Sequence, residues 1–441
     1  MLATVKTFSA ITEEFVEVVM RHNPVLATDV GIHDYDHKLP NDSPDGFRER
    51  SAWLRDLEQR LVASVPWEEL PAPQRIEYAL LRSRIASMRA DLEEIKVQAR
   101  NPALFPETAL HGLHMLMMRP FAPLDERKEA ILARMMAVPE YLGAAQTNLT
   151  KIPELLISIA SEVTSAGPEF VDGIMQSLRE SFPGEAERIE EAARRFVEGK
   201  RLAPIPSGRL EIVDTPLFQR SLTPYAAYLR PGPFEEEAIG YLVVTPVDPG
   251  KSRAQQQEQI QGHNYVALSL TAVHEAWPGH HLQFAHAVNA GSRLRRLSDS
   301  PVLAEGWALY CEELMVEEGF HLDPLARVYQ LKDLLWRACR VVLDVGLHTG
   351  TMTYEQAVDY LVEQAMLERV NAESEVKRYA MTPTQPMSYL VGSQQIKEIR
   401  DEVKSRLGKR YNLYDFHKAL LNCGTVPPAL VRMELEEQLR A

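Results

Sequence analysis

The sequence predicts a mainly α-helical protein: a large multi-helix body with a central cleft and a small antiparallel β-sheet. Three observations carry that expectation. Long stretches repeat apolar residues at three- and four-residue steps with few breakers, the mark of amphipathic helix. One internal segment, from about 203 to 250, loses that period and gathers Pro204, Pro206, Pro216, Pro224, Pro231, Pro233, Pro246 and Pro249. Inside it, the runs 226–229 and 240–245 are short, apolar and bounded by turn residues, and read as strands.

The elements follow in order. Residues 7–21 place Phe8, Ile11, Phe15, Val18 and Val19 at helical spacing. Residues 44–63 and 73–98 are long charged amphipathic stretches. Helical patterning continues over 124–164 and 167–199, punctuated by Pro139, Pro153 and Pro183. Proline-rich joints at 101–106 and 119–123 read as loops. Helices return after 250, over 264–277, 279–290, 300–319, 324–349, 354–369, 386–407 and 427–440. The chain thus divides into an N-terminal helical half (1–202), a β/loop segment at a cleft edge (203–250) and a C-terminal helical half (251–441). Two short strands cannot form a core alone, so they must lie on the helices. A strand edge there is a suitable place to hold an extended peptide.

Composition narrows the function. Acidic residues outnumber basic ones, 62 against 48, giving a net charge of −14 at pH 7. Such a surface repels phosphate backbones, so nucleic acid is not an expected partner. Three cysteines, Cys311, Cys339 and Cys423, have no close pair. That argues against a disulfide framework or a CxxC metal site, and fits a reducing compartment. The first residues lack a signal-like apolar core, and no run approaches the roughly 18 apolar residues of a membrane span. The expectation is a cytoplasmic protein without a membrane partner; oligomeric state is not readable.

The chemistry concentrates in His274-Glu275-Ala276-Trp277-Pro278-Gly279-His280-His281. Neutral imidazoles bind zinc, and a neighbouring carboxylate can take a proton from water, which is the logic of the HExxH helix. The spacing here is longer: His280 lies six positions after His274, and His281 seven. At about 100° per residue, neither would join His274 on one ion in an unbroken helix. Pro278 removes a donor and disfavours helix at Trp277, and Gly279 permits unusual dihedrals. A loop of extra residues could therefore return one histidine to the ligand position; spacing leaves His280 and His281 both open. Glu305, 25 positions after His280, supplies a third ligand, with Asn289-Ala290-Gly291-Ser292 as the turn between helices. Three protein ligands leave a fourth position open, the catalytic arrangement.

These residues resemble a bacterial family known as domain of unknown function 885. The resemblance covers His274 to Gln283, Asn23-Pro24 through Gly31-Ile32-His33-Asp34-Tyr35-Asp36 with Leu39-Pro40, Glu305-Gly306-Trp307-Ala308-Leu309-Tyr310, and Arg378-Tyr379 with Gln385-Pro386 and Ser388-Tyr389-Leu390-Val391-Gly392. That family is similar to helical gluzincins such as Taq-type carboxypeptidases and angiotensin-converting enzyme. The resemblance implies a zinc metallopeptidase of short peptides. It implies His274, His280 and Glu305 as ligands of Zn2+, since the zinc helix of those relatives ends in Gly-His. It implies Glu275 as general base, Tyr389 as donor to the tetrahedral intermediate, and Tyr379 as a second donor.

Other residues have two readings each. Arg340, Asp344 and His348 share a helix face and either orient ligands or form a surface ion-pair stripe. Glu312 either holds a ligand histidine or, the favoured reading, sits at the rim. His263, His33 and His417 read as cap or structural residues, and Tyr241 as a strand residue facing substrate or packing. A carboxypeptidase would need a cation for the substrate carboxylate; Arg378 and Arg230 are candidates, and exo- against endopeptidase is open. Two other activities stay in view: a zinc amidase on a small molecule, and a non-catalytic helical scaffold.

Overall fold

The computed structural model describes residues 2–150, 152, 154–165, 185–216, 219–220, 223, 226–246, 253, 265–321 and 324–439. Pro153, Pro183, Pro224, Pro249, His263 and the first part of the predicted 167–199 helix lie outside the described residues. The N-terminal helices are α1 (Leu2–His22), α2 (Pro44–Ser64), α3 (Ala72–Arg89), α4 (Leu104–Met118), α5 (Leu124–Gln146), α6 (Glu154–Ser165) and α7 (Glu185–Lys200). Helix α2 shows how local chemistry sets a boundary: Ser43 accepts from the Gly46 amide at 3.2 Å, and Pro44 follows with its φ already helical. Its Leu54, Leu57 and Leu61 then recur on one face and are fully buried, each contributing roughly 1.5–3 kcal/mol.

Three boundaries differ from the sequence expectation. The 73–98 stretch is α-helical only to Arg89, then widens into a π turn, Ala90–Ile95, which ends at Lys96 with φ 57°. Helix α4 begins inside the predicted 101–106 loop, where Pro106 is tolerated because first-turn amides need no helical partner. The 124–164 stretch divides in two: α5 runs on through Pro139 but ends at Gln146, and α6 starts at Glu154.

The sheet has three strands, β1 (Arg209–Asp214), β2 (Ala226–Leu229) and β3 (Ile239–Val244), in the order β1-β3-β2. It is mixed, which corrects the antiparallel expectation: β2 pairs antiparallel with β3, but β1 runs parallel to it, with Leu210 opposite Gly240 and Ile212 opposite Leu242. Strand β1 went unread because its charged ends and half-exposed pattern lie within proline-rich sequence.

The C-terminal helices are α8 (Tyr265–Glu275), α9 (His280–Ala287), α10 (Pro301–Glu317), α11 (Pro324–His348), α12 (Tyr354–Gln364), α13 (Arg369–Met381), α14 (Gln385–Leu407), α15 (Leu413–Asn422) and α16 (Pro428–Gln438). Sequence periodicity had missed α13, whose composition is largely polar, and the short α15. One main core joins Leu54, Leu57, Leu80 and Leu81 of the N-terminal helices to Val273, Trp307, Met315 and Ile396 of the C-terminal ones. A second, smaller cluster packs α11, α12 and α13 through Leu343, Leu361 and Val376. A cavity of about 340 Å³ opens between these bodies, walled by α8, α10, α11, α13, α14 and the edge strand β2. No helix among the described residues is long and apolar enough to cross a membrane.

Candidate metal centre

The helix carrying His274 stops at Glu275, and the backbone then folds back on it. Trp277 donates to the Ala272 carbonyl at 3.2 Å and Gly279 to the Val273 carbonyl at 3.0 Å; the Trp277–Pro278 peptide is cis. A Cβ on Gly279 would lie 1.8 Å from the His274 carbonyl oxygen, so only glycine fits. A new helix starts at His280. Two tryptophans fix this loop: Trp307 donates to the Pro278 carbonyl at 2.8 Å, and Trp277 donates to Glu190.

The fold-back brings the His274 and His280 rings to 4.9 Å at 88°. Glu305, on α10, meets both: its Oε2 is 3.2 Å from His280 Nε2 and 3.6 Å from His274 Nε2. One ligand atom from each of the three falls within 4.8 Å of the others, and among the described residues this is the group that could hold a metal ion. His281 is placed elsewhere. It is fully buried, its Nδ1 lies 3.0 Å from the Tyr228 hydroxyl, and burial pushes its pKa down to about 4.

Several observations bear on whether an ion fits. Glu305 Oε2 is buried without a hydrogen-bond partner, as is His280 Nδ1. Glu312, only 1% exposed, sits 2.7 Å from His274 Nδ1, so that nitrogen donates to the carboxylate and Nε2 is the ring nitrogen that faces the group. Burial works against a charged His274, yet Glu305 and Glu312 more than offset it and raise its pKa to about 10. Burial likewise disfavours the Glu305 anion, but His280 and His274 hold its carboxyl well below the ordinary value. The pocket therefore favours positive charge, and two imidazoles with a carboxylate are a zinc donor set. Glu312 thus holds His274 from a buried position instead of sitting at the rim, the reading the sequence favoured.

Glu275 lines the cavity beside the group, half-buried, with no hydrogen-bond partner among the described residues. Burial raises its pKa, which His274 and His280 only partly oppose. Tyr389 also lines the cavity, its ring stacked on His274 at 6.0 Å. Gln385, named in the sequence only as part of a motif and without a role, donates to Glu305 Oε1 at 3.1 Å and approaches the Tyr389 hydroxyl at 3.4 Å. It precedes Tyr389 by one helical turn, and that spacing was the available signal.

Tyr379 is not on the cavity wall. Its hydroxyl is fully buried, donates to Glu375 Oε2 at 2.6 Å and accepts from Trp336 at 3.0 Å and Arg340 Nε at 2.8 Å. That correction has a simple cause: helix α13 turns Tyr379 towards α11, not towards the histidines. The Arg340–Asp344–His348 stripe faces the same interior and is no surface ion-pair row. Asp344 accepts from the Thr384 and Met387 amides and so caps α14, and His348 lies 3.0 Å from the Tyr379 carbonyl. Of the two arginines proposed for a substrate carboxylate, Arg230 pairs with Asp299 at 3.4 Å and is not on the cavity, whereas Arg378 lines it. Tyr241 packs, 2% exposed, away from the cavity. His417 is structural, between Tyr310 and the Leu202 carbonyl, and burial depresses its pKa to about 4.

The sequence matches the model of a family described as bacterial proteins of unknown function, DUF885, over residues 24–166 and 158–435. No curated protein matches. Two solved structures share the fold. One is a candidate lipoprotein of unknown function from Shewanella oneidensis, 20% identical, with a TM-score of 0.72 over 97% of this chain and 99% of that one. The other is a candidate lipoprotein from Colwellia psychrerythraea, 17% identical, with a TM-score of 0.70 over 100% of both chains.

Proposed function

Because the chain belongs to the DUF885 family, whose description assigns no activity, the function must be argued from the site, and we propose a zinc-dependent metallopeptidase of short peptides. The observation that carries this reading is the convergence of His274, His280 and Glu305 within 4.8 Å, beside Glu275 on the cavity wall. A zinc ion held by those three would polarise a carbonyl and acidify water. The chain's own groups supply the rest. Glu275, with its pKa raised, takes the proton of the attacking water and delivers it to the leaving nitrogen. The water oxygen joins the acyl carbon as the C–N bond breaks. Tyr389 donates to the oxyanion. Glu312 keeps His274 in one tautomer and orientation.

A peptide suits the cavity because one wall is an edge strand. Ala226, Ala227 and Tyr228 of β2 border it, and among the described residues β2 pairs with β3 alone. An extended peptide could add to that edge through backbone hydrogen bonds. The test is Glu275→Gln, compared with wild type for metal content and for digestion of a peptide library read by mass spectrometry. Bound zinc should be unchanged and turnover should fall at least about 100-fold. Undiminished digestion would falsify the role of Glu275, and no metal after zinc exposure would remove the reading altogether.

A further inference from the structure

On the cavity wall formed by α11 and α13, two arginines converge on one carboxylate and one of them has a donor left over. Arg340 and Arg378 both line the cavity and share one carboxylate: Glu375 Oε2 accepts from Arg340 Nη2 at 3.1 Å and Arg378 Nη2 at 2.8 Å, and from Tyr379 at 2.6 Å. The nearby carboxylates are otherwise engaged, Asp333 with Arg337 at 3.5 Å and Glu368 with Asn371 at 3.0 Å. Arg378 spends its other arm on Gln385. Arg340 does not. It is 3% exposed, and its Nη1 is buried without a partner. A buried guanidinium with an unused donor is costly unless a ligand completes it.

The plane of that guanidinium is fixed. Its Cζ lies 4.4 Å from the Trp336 ring and 4.5 Å from the Tyr389 ring, so aromatic groups lie against it. Its Nε is held by Tyr379. The outer end of the fork, Nη1 with the second Nη2 hydrogen, is what remains for a ligand, and that edge matches a carboxylate.

From this geometry we infer that Arg340 binds the free α-carboxylate of the substrate, so that the protein removes residues from the C-terminal end of peptides. The inference rests on the metallopeptidase reading and adds a substrate class to it. Tyr389 sets the scale, because its ring contacts both His274 and Arg340. Only one ring separates the reacting pole from the anchor, room for about one or two residues at ~3.5 Å each. The product is therefore a single amino acid or a dipeptide, and a peptide amide is a poor ligand.

Binding tests this apart from turnover. The probes are an N-acetylated tetrapeptide with a free carboxylate and the same peptide as its C-terminal amide, titrated calorimetrically into zinc-loaded, full-length Glu275→Gln protein. The acid should bind roughly 10- to 100-fold tighter than the amide, as expected for one charge-assisted contact. Adding Arg340→Lys should shrink that ratio towards one. Equal affinity for acid and amide, or no binding of either, overturns the inference whether or not the arginine variant folds. Wild-type digestion separates the two claims. Internal cleavage, with the amide cut as fast as the acid, sinks the carboxylate site but leaves the metallopeptidase. Acid-selective binding without any cleavage does the reverse.

Discussion

Glu312 and His274 illustrate what a residue's type conceals. A glutamate seven positions after Glu305 can face the same side and still be solvent rim; only the packing of α8 against α10 decides that it meets His274 Nδ1 at 2.7 Å. Replacing it by glutamine keeps the shape and removes the charge that orients the imidazole, so Glu312→Gln should weaken zinc affinity about 10- to 100-fold, measured by competition with a chelator. Tyr389→Phe tests the oxyanion donor. It should lower kcat by roughly 2.7–4 kcal/mol of barrier while leaving zinc content and KM near wild type. His274, Glu275 and Glu305 were legible because their chemistry is rare in that spacing. The contacts of Gln385 and the Tyr228–His281 contact were not, and Glu312 was legible only as one of two readings, since each acts through a partner distant in sequence. Tyr379 shows the opposite failure: a motif match pointed to the oxyanion, but its hydroxyl is saturated by Trp336, Arg340 and Glu375.

At the scale of elements, two helices are held together by the absence of side chains. A Cβ on Gly306 of α10 would lie 2.4 Å from the Gly392 carbonyl carbon, and one on Gly392 of α14 would lie 1.8 Å from the Val302 oxygen. This close crossing puts Glu305 and Tyr389 on one cavity. Gly392→Ala should force the helices apart, costing about 1–3 kcal/mol or more in thermal or urea unfolding and lowering kcat with it. An unchanged Tm would show that the crossing is not as tight as its geometry. Helices such as α1 and α2 were readable because a buried face repeats every three or four residues. The loop at Ala276–Gly279 was readable too, from Pro278 and Gly279. Strand β1 and helix α13 were not, because their partners rather than their own pattern make them regular.

The whole molecule is tied across its length by buried polar contacts as well as by the common core. His33, near the N-terminus, pairs with Asp36 at 2.9 Å and with Glu235, just before β3, at 3.6 Å, and stacks on Phe121 at 3.6 Å. Burial disfavours its charge, but the two carboxylates more than offset that and raise its pKa to about 9. A raised histidine stabilises the fold fully below its unfolded value near 6.5, and that contribution is lost as pH rises through about 9. The unfolding free energy of the wild type, from urea titration, should therefore exceed that of His33→Gln most at pH 6, by up to about 3 kcal/mol, with the gap closing near pH 10. A gap that does not change with pH would mean the imidazole is neutral in the native protein. One further consequence belongs to the sheet. An open strand edge ordinarily invites another molecule to pair with it and begin a β-aggregate. Here that edge is four residues long and borders a recess of about 340 Å³ between helices. A recess of that size would admit a lone extended chain more readily than the rim of a neighbouring folded sheet, so the setting that could hold a peptide would also shield the edge from sheet-to-sheet pairing.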